Sequence, residues 1–293
     1  AFVESDFYAK VGVLDGLPAL RGTVPITGQE YMELSQGEDN SNNFVEKEQG
    51  RYVDTYYSLW SASGLAAVWA EENTRESIFS SFRRKETYAT SGNRIRLRFF
   101  GGFDLEELDL GSEQLVKEAY KRAVPMGSDL MAEERKPPSF LIWAQKDQRA
   151  TSLQRLQIIK GWTDTADGST HEKIYDAACS DGLKVDIQTH RCPDNGAKVN
   201  LADCSVSNLG ATELKTVWTD PEFNPDEDAF YYVRVLENPS CRWTAWDAVN
   251  NQRKPRADLN LITQDRAWSS PIWYVPSSTT TADWIGNYDP AED

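Results

Sequence analysis

Glu71, Glu72 and Arg75 follow directly on the apolar run Gly64-Leu65-Ala66-Ala67-Val68-Trp69-Ala70. Two carboxylates can orient a water or a metal ligand and carry a proton. A guanidinium beside them can hold an anionic substrate through a forked pair of hydrogen bonds. In sheets of parallel strands, sites form at the carboxyl ends of the strands, which is where these residues fall. A second reading needs no chemistry. Asn73 can cap a helix, Glu76 three residues on is its capping-box partner, and acids near a helix start complement its positive end. The expectation taken forward is that Asn73 and Glu76 serve the cap. Glu71, Glu72 and Arg75 would then face a catalytic mouth.

Four cysteines are present, Cys179, Cys192, Cys204 and Cys241. The first three lie in "CSDGLKVDIQTHRCPDNGAKVNLADC", a polar, turn-rich stretch. An even count in such a segment predicts at least one disulfide joining two of Cys179, Cys192 and Cys204, and a periplasmic or secreted location. Spacing does not fix the pairing. The rival is a structural zinc site built from Cys179, His190, Cys192 and Cys204, although the tight C-x2-C pair of such sites is missing. Buried free thiols are the third reading.

Other reactive constellations are scarce. His171 and His190 are the two histidines, and both lie far in sequence from Glu71. There is no HxH, no HExxH, no GxSxG elbow, no phosphate-binding loop and no GxGxxG. A self-contained metallohydrolase is hard to assemble from this set. The ten tryptophans could form a carbohydrate-stacking platform, but most fit core positions of strands and helices.

The elements that must position these residues fall into two textures. Residues 1–50 are mixed and turn-rich, with one short helix expected in "GQEYMELSQG". Residues 53–92 read helix, strand, helix: an apolar face of Tyr56, Tyr57, Leu59 and Trp60 closed by Gly64, then the buried strand 64–70. The second helix follows Asn73, with Ile78, Phe79 and Phe82 inward. An unbroken apolar strand suits burial on both faces of an α/β layer. "RIRLRFF", residues 94–100, alternates instead, with Ile95, Leu97 and Phe99 on one face and Arg94, Arg96 and Arg98 on the other. A helix is predicted over 112–123, capped by Ser112, with Leu115, Val116, Ala119 and Tyr120 inward. Strands then dominate: "SFLIWAQK", "LQRLQIIKGW", "KIYDAA", "TELKTVW", "AFYYVRVLE" and "SPIWYV", an antiparallel sandwich. One helix, 240–250, interrupts them, with Trp243, Trp246 and Val249 packing. The expected units are 1–92, 93–275 and a poorly ordered tail, 276–293.

The chain has 293 residues and a net charge of −15. That length supports a large core. The acidity disfavours nucleic acid as a partner. No apolar run approaches the ~20 residues of a membrane span. The first residue is Ala1 rather than Met, so the chain is expected to be processed or part of something longer.

Long stretches carry a resemblance. "GLAAVWAEENTRESIFSSFRRKETYATSGNRIRLRFFGG", "FYAKVGVLDGLPALRGTVP", "CPDNGAKVNLADC", "GATELKTVWTDPEF", "AFYYVRVLENPSCRW" and "RAWSSPIWY" resemble a bacterial family defined as a domain of unknown function. That family is similar to the PHP (polymerase and histidinol phosphatase) metal-dependent phosphoesterases. The match runs from about Phe2 to Tyr274. The resemblance implies an α+β fold: the last strand and helix of a PHP-like α/β barrel, followed by a mostly antiparallel β-sandwich-like domain. It implies that a His-x-His and an Asp-x-His lie upstream of Ala1, in a missing N-terminal half. The complete protein would then bind Zn, Mn or Fe and hydrolyse a small anionic or ester substrate, with Glu71, Glu72 and Arg75 on the rim. No metal ligand carries over to this chain. The competing expectation is a non-enzymatic binding or structural module contacting a glycan or protein.

Overall fold

The computed structural model describes residues 2–4, 43–47, 50–54 and 64–277, apart from 134, 253 and 256. Three short strands come first: β1 Phe2–Glu4, β2 Asn43–Lys47 and β3 Gly50–Asp54. β4 is Leu65–Val68, α1 Arg75–Arg83, β5 Thr87–Thr90, β6 Arg96–Gly102, α2 Leu115–Arg122, β7 Ala123–Pro125, β8 Asp129–Met131 and β9 Ser139–Gln145. β10 Leu153–Thr163, β11 Thr170–Cys179, β12 Val199–Asn200, β13 Ser205–Val206, β14 Glu213–Thr219, β15 Ala229–Glu237 and β16 Ser240–Cys241 follow. The chain continues with α3 Trp243–Asn250, β17 Ile262–Thr263, β18 Arg266–Ser269 and β19 Ile272–Val275. No described helix is long and apolar enough to cross a membrane.

Two sheets carry the architecture. The larger has nine strands, in the order β1-β4-β5-β18-β15-β10-β11, with β19 beside β15 and β8 beside β19. β15 is its spine: one edge runs along β10, and the other is shared by β19 at residues 229–231 and β18 at 234–236. The smaller sheet is β14-β9-β6-β7. Every pairing in the two sheets is antiparallel except β19 with β8. The inner faces meet in one core. Leu97, Phe99, Phe140 and Ile142 from the smaller sheet pack with Ala67, Tyr88, Leu156, Ile158, Tyr231, Val233 and Ala267 from the larger. Each fully buried aliphatic or aromatic side chain contributes about 1.5–3 kcal/mol.

The smaller sheet also has a second, partial cover. Phe100 and Leu141 point outward and are roofed by Leu115 and Ala119 of α2, with Leu105 and Leu108 before it. This explains two sequence patterns. β9 reads as a continuous apolar run because Phe140 and Ile142 enter the sandwich while Leu141 meets α2. β6 alternates at its start, where its outer face is uncovered, and turns continuously apolar from Phe99, where the roof begins.

Several expectations change. The strand 64–70 is antiparallel to β5 and to β1, and Ala66 is exposed on its outer face, so it is not a doubly buried parallel strand. No closed barrel is present among the described residues, and the chain is mostly antiparallel β with few helices. Residues 53–54 are strand, and the rest of the expected 53–63 helix lies outside the described residues, as do the helix expected in "GQEYMELSQG" and the tail beyond 277. Phe79 and Phe82 of α1 are exposed, as are Tyr120 and Trp246. The residue that α1 buries is Ser81, whose hydroxyl donates to the Trp69 and Ser77 carbonyls. The 112–123 helix starts at Leu115, because Ser112 accepts from the Gln114 N–H instead.

Candidate functional site

Glu71, Glu72 and Arg75 stand exposed on the turn between β4 and the start of α1. They make no ion pair among the described residues. The cap of α1 is Thr74, not Asn73: its hydroxyl accepts from the Ser77 N–H at 3.3 Å. Ser77 Oγ in turn accepts from the Glu72 N–H at 3.2 Å, so the reciprocal partner is a serine and no Asn73–Glu76 box forms. Thr74 wins because its hydroxyl sits three residues before the N–H it caps, and one position decides that register.

The cysteines resolve into two bridges, Cys179–Cys192 and Cys204–Cys241. The first joins two of the three expected residues. Cys204 instead reaches across the fold to Cys241, a pairing that no spacing could show. Both bridges use up the thiols that a zinc site would need, so that alternative is overturned. They are consistent with an extracellular or periplasmic location. His190 lies with its ring edge-on to Tyr175 and Nε2 3.8 Å from Glu222. His171 stacks on Trp162 at 5.2 Å and accepts or donates at 2.7 Å with Ser169 Oγ. Among the described residues no three His, Cys, Asp or Glu side chains come together to hold a metal ion.

Ionisable chemistry collects elsewhere, at one end of the sandwich interior. Lys160 and Asp220 form an ion pair of 2.7 Å, with side chains 3% and 0% exposed. Tyr231 donates to Asp220 at 2.7 Å, and Lys160 donates to the Glu222 carbonyl at 2.8 Å. Glu222 accepts from Lys173 and from Tyr175. Burial, with help from Asp220, lifts the Tyr231 phenol well above its ordinary range. The hydrogen bond from Lys173 lowers Glu222. Opposite charges meet within this cluster, so its chemistry is that of an internal tie between β10, β15 and the 220–228 turn.

The open feature beside it is a groove on the outer face of the larger sheet. Its volume is about 530 Å³, and Gly161, Thr163, Glu172, Asp228, Phe230 and Trp273 line it. Pairing register explains the gathering. Glu172, Gly161, Phe230 and Trp273 stand side by side across β11, β10, β15 and β19. Strand side chains alternate faces, so one row across four strands presents one surface. Gly161 makes the depression: a Cβ there would lie 2.3 Å from Phe230 Cζ, so the ring lies across the bare backbone. Phe230 also contacts Trp273 at 5.1 Å and stacks near Tyr232 at 6.4 Å. Thr163, Thr170, Glu172 and Asp228 are exposed around the groove. An aromatic floor ringed by carboxylates and hydroxyls suits a ligand with an apolar face and hydrogen-bonding edges.

The family profile described as "Protein of unknown function (DUF3604)" matches residues 4–276. The chain belongs to this family. The matched span holds the groove, both disulfides and the turn carrying Glu71. No curated protein and no solved structure matches the chain. The family match does not extend to PHP-type phosphoesterases.

The sequence pattern places most tryptophans in the core and does not by itself single out Gly161. The available signal was a glycine inside a long strand pattern, "LQIIKGWT", which marks a bulge or a close approach by another group. The partner, Phe230, is far away in sequence and could not be paired with it from composition.

Proposed function

We propose that this DUF3604 chain is a carbohydrate-binding module of a periplasmic or secreted protein, with its ligand seated in the groove over Phe230. The supporting observation is the row Glu172-Gly161-Phe230-Trp273. A sugar ring offers C–H faces to aromatic rings and hydroxyls to carboxylates, which is the chemistry lining this groove. The two disulfides support a location outside the reducing cytosol.

The test is calorimetry of the chain against a panel of neutral oligosaccharides, repeated with Phe230→Ala and Glu172→Gln. Binding by the parent chain that is lost in Phe230→Ala and weakened in Glu172→Gln is the expected result. No binding across the panel, or equal binding by both variants, would sink the reading. A role in hydrolysis, in a longer protein carrying Zn, Mn or Fe on residues outside this chain, rests on the resemblance alone. Metal analysis and a phosphoester screen of the longer reading frame would test it separately.

A further inference from the structure

The uncovered half of the smaller sheet's outer face is the second place where aromatic and charged groups converge. The register places Arg96 opposite Gln145, Arg98 opposite Trp143, and Lys215 opposite Trp143 from the other side. All five point away from the sandwich core, just beyond the roof provided by α2. Trp69, coming off the end of β4, donates its Nε1–H to the Leu97 carbonyl at 2.7 Å. That bond fixes the indole, and the Arg98 guanidinium lies 3.7 Å from its ring centroid. A cleft of about 40 Å³ opens between Trp69, Arg96, Arg98, Trp143 and Gln145. It has room for one small group, not for a sugar ring.

The charges here are unbalanced. Glu213, the carboxylate on the adjoining strand, is already engaged by Gln145 at 2.9 Å and Lys215 at 3.3 Å. Lys215 also donates to the Leu110 carbonyl and lies over the Trp143 ring. Arg98 has one further partner, the Tyr120 hydroxyl at 3.4 Å. Arg96 is exposed and makes no ion pair among the described residues. Two guanidiniums without a carboxylate are unexpected in a chain of net charge −15. The buried Trp143 indole N–H faces the Glu213 carboxylate and, after Gln145 and Lys215, helps to hold it below its ordinary range. A guanidinium held over an indole ring can still offer its remaining N–H groups to an oxyanion.

We propose that this cleft binds the oxyanion of a small molecule, a carboxylate, sulfate or phosphate group, between Arg96 and Arg98. The fork geometry suits two oxygens on one centre, and the small volume confines the bound part to that group. The surrounding acidity repels anions at long range. Selection is therefore left to short-range bonds, and the site favours an oxyanion borne on a ring that can extend from the cleft over Trp143. This inference does not depend on the sugar-binding reading, whose groove lies on the opposite outer face of the sandwich.

The experiment follows the indole N–H signals of the full chain by NMR, with tryptophans assigned by single replacement. Sodium sulfate, phosphate, acetate and glucuronate are the probes. Saturable shifts of the Trp69 and Trp143 signals are expected, with glucuronate binding more tightly than acetate. Arg96→Gln should weaken binding about tenfold or more, as expected for a lost charged hydrogen bond. Arg98→Lys, which keeps the charge and loses the fork, should weaken it as well. Arg96 is exposed, so its variant tests the site even if changes at Arg98 disturb the fold. Equal affinity for acetate and glucuronate would remove the ring from the proposal and keep the oxyanion. No saturable shift with any probe, or shifts unchanged in Arg96→Gln, would overturn it and leave the Arg98–Trp69 stack as a structural contact.

Discussion

The two outer faces of the sandwich use aromatic side chains with opposite charge. On the larger sheet, Phe230 and Trp273 are bordered by Glu172 and Asp228. On the smaller sheet, Trp69 and Trp143 are bordered by Arg96 and Arg98. The depth differs because one row lacks a side chain. Gly161 removes a side chain from the first row and opens a wide trough, whereas Arg98 fills the second row and leaves a narrow slot. The same strand geometry therefore offers a neutral polyol a broad floor on one side and an oxyanion a tight fork on the other. Their supports differ too. Cys179 ends β11 and Cys241 follows β15, so the cross-links extend from the larger sheet, while the smaller sheet is held by apolar packing under α2.

The largest test of that contrast is the pair Cys179→Ser with Cys192→Ser. Losing a closed loop of this size costs about 3 kcal/mol by chain entropy. Denaturant unfolding should show that loss, while the anion-induced shifts of Trp69 and Trp143 persist. Shifts that vanish with the bridge would show that the two faces are not independent. Next comes Phe230→Ala, worth roughly 2 kcal/mol, below the ~3–5 of a fully buried phenylalanine because this ring is only part-buried. It should abolish binding at the groove and leave the oxyanion cleft unchanged. Gly161→Ala attacks the same floor by pushing the ring away, and retained sugar binding in that variant would break the account of the groove.

A pH series probes β15 at its other end. Glu237 is 1% exposed, and Thr151 donates to its Oε2 at 3.3 Å. Burial raises its carboxyl from an ordinary 4.5 to about 8, against the pull of Asn93 and with a further push from Asp265 and Asp147. The folded state thus holds the proton more tightly than the unfolded chain. Its contribution is complete below pH 4.5 and is lost as pH rises through about 8. The slope is at most ~1.4 kcal/mol per pH unit. Melting curves across this window should fall with rising pH, and Glu237→Gln should flatten them. An unchanged slope in that variant would assign the dependence elsewhere. Sugar affinity measured across the same window tests whether the two ends of β15 act independently. The smallest effect is expected at the start of α1: Thr74→Ala should cost about 1 kcal/mol and Asn73→Ala close to nothing. The reverse ranking would restore the cap read from sequence.

The strands from Ser139 onward were legible because their patterns are local. "AFYYVRVLE" and "LQRLQIIKGW" are long, β-rich and bounded by turn residues, and each forms a strand. "RIRLRFF" named its buried face correctly, since Ile95, Leu97 and Phe99 are all at most 1% exposed. The run 64–70 misleads because a short apolar run looks alike in a parallel core strand and in an antiparallel one. Its neighbours settle the question, and they are residues 2–4 and 87–90. Phe79 and Phe82 kept helical spacing, yet periodicity says which residues share a face and not what covers that face.

The sequence by itself determined the β-rich antiparallel character, the family, and the presence of a disulfide in the 179–204 stretch. Each of these is written in contiguous residues: alternation, turn chemistry, long motifs, cysteines in a polar segment. Tertiary structure alone decided that Cys204 takes Cys241, that Phe230 lies on Gly161, and that Arg98 lies on Trp69. Those pairs are 37, 69 and 29 residues apart. Strand order and register bring them together, and register depends on which strands become neighbours, a choice made by the whole core at once.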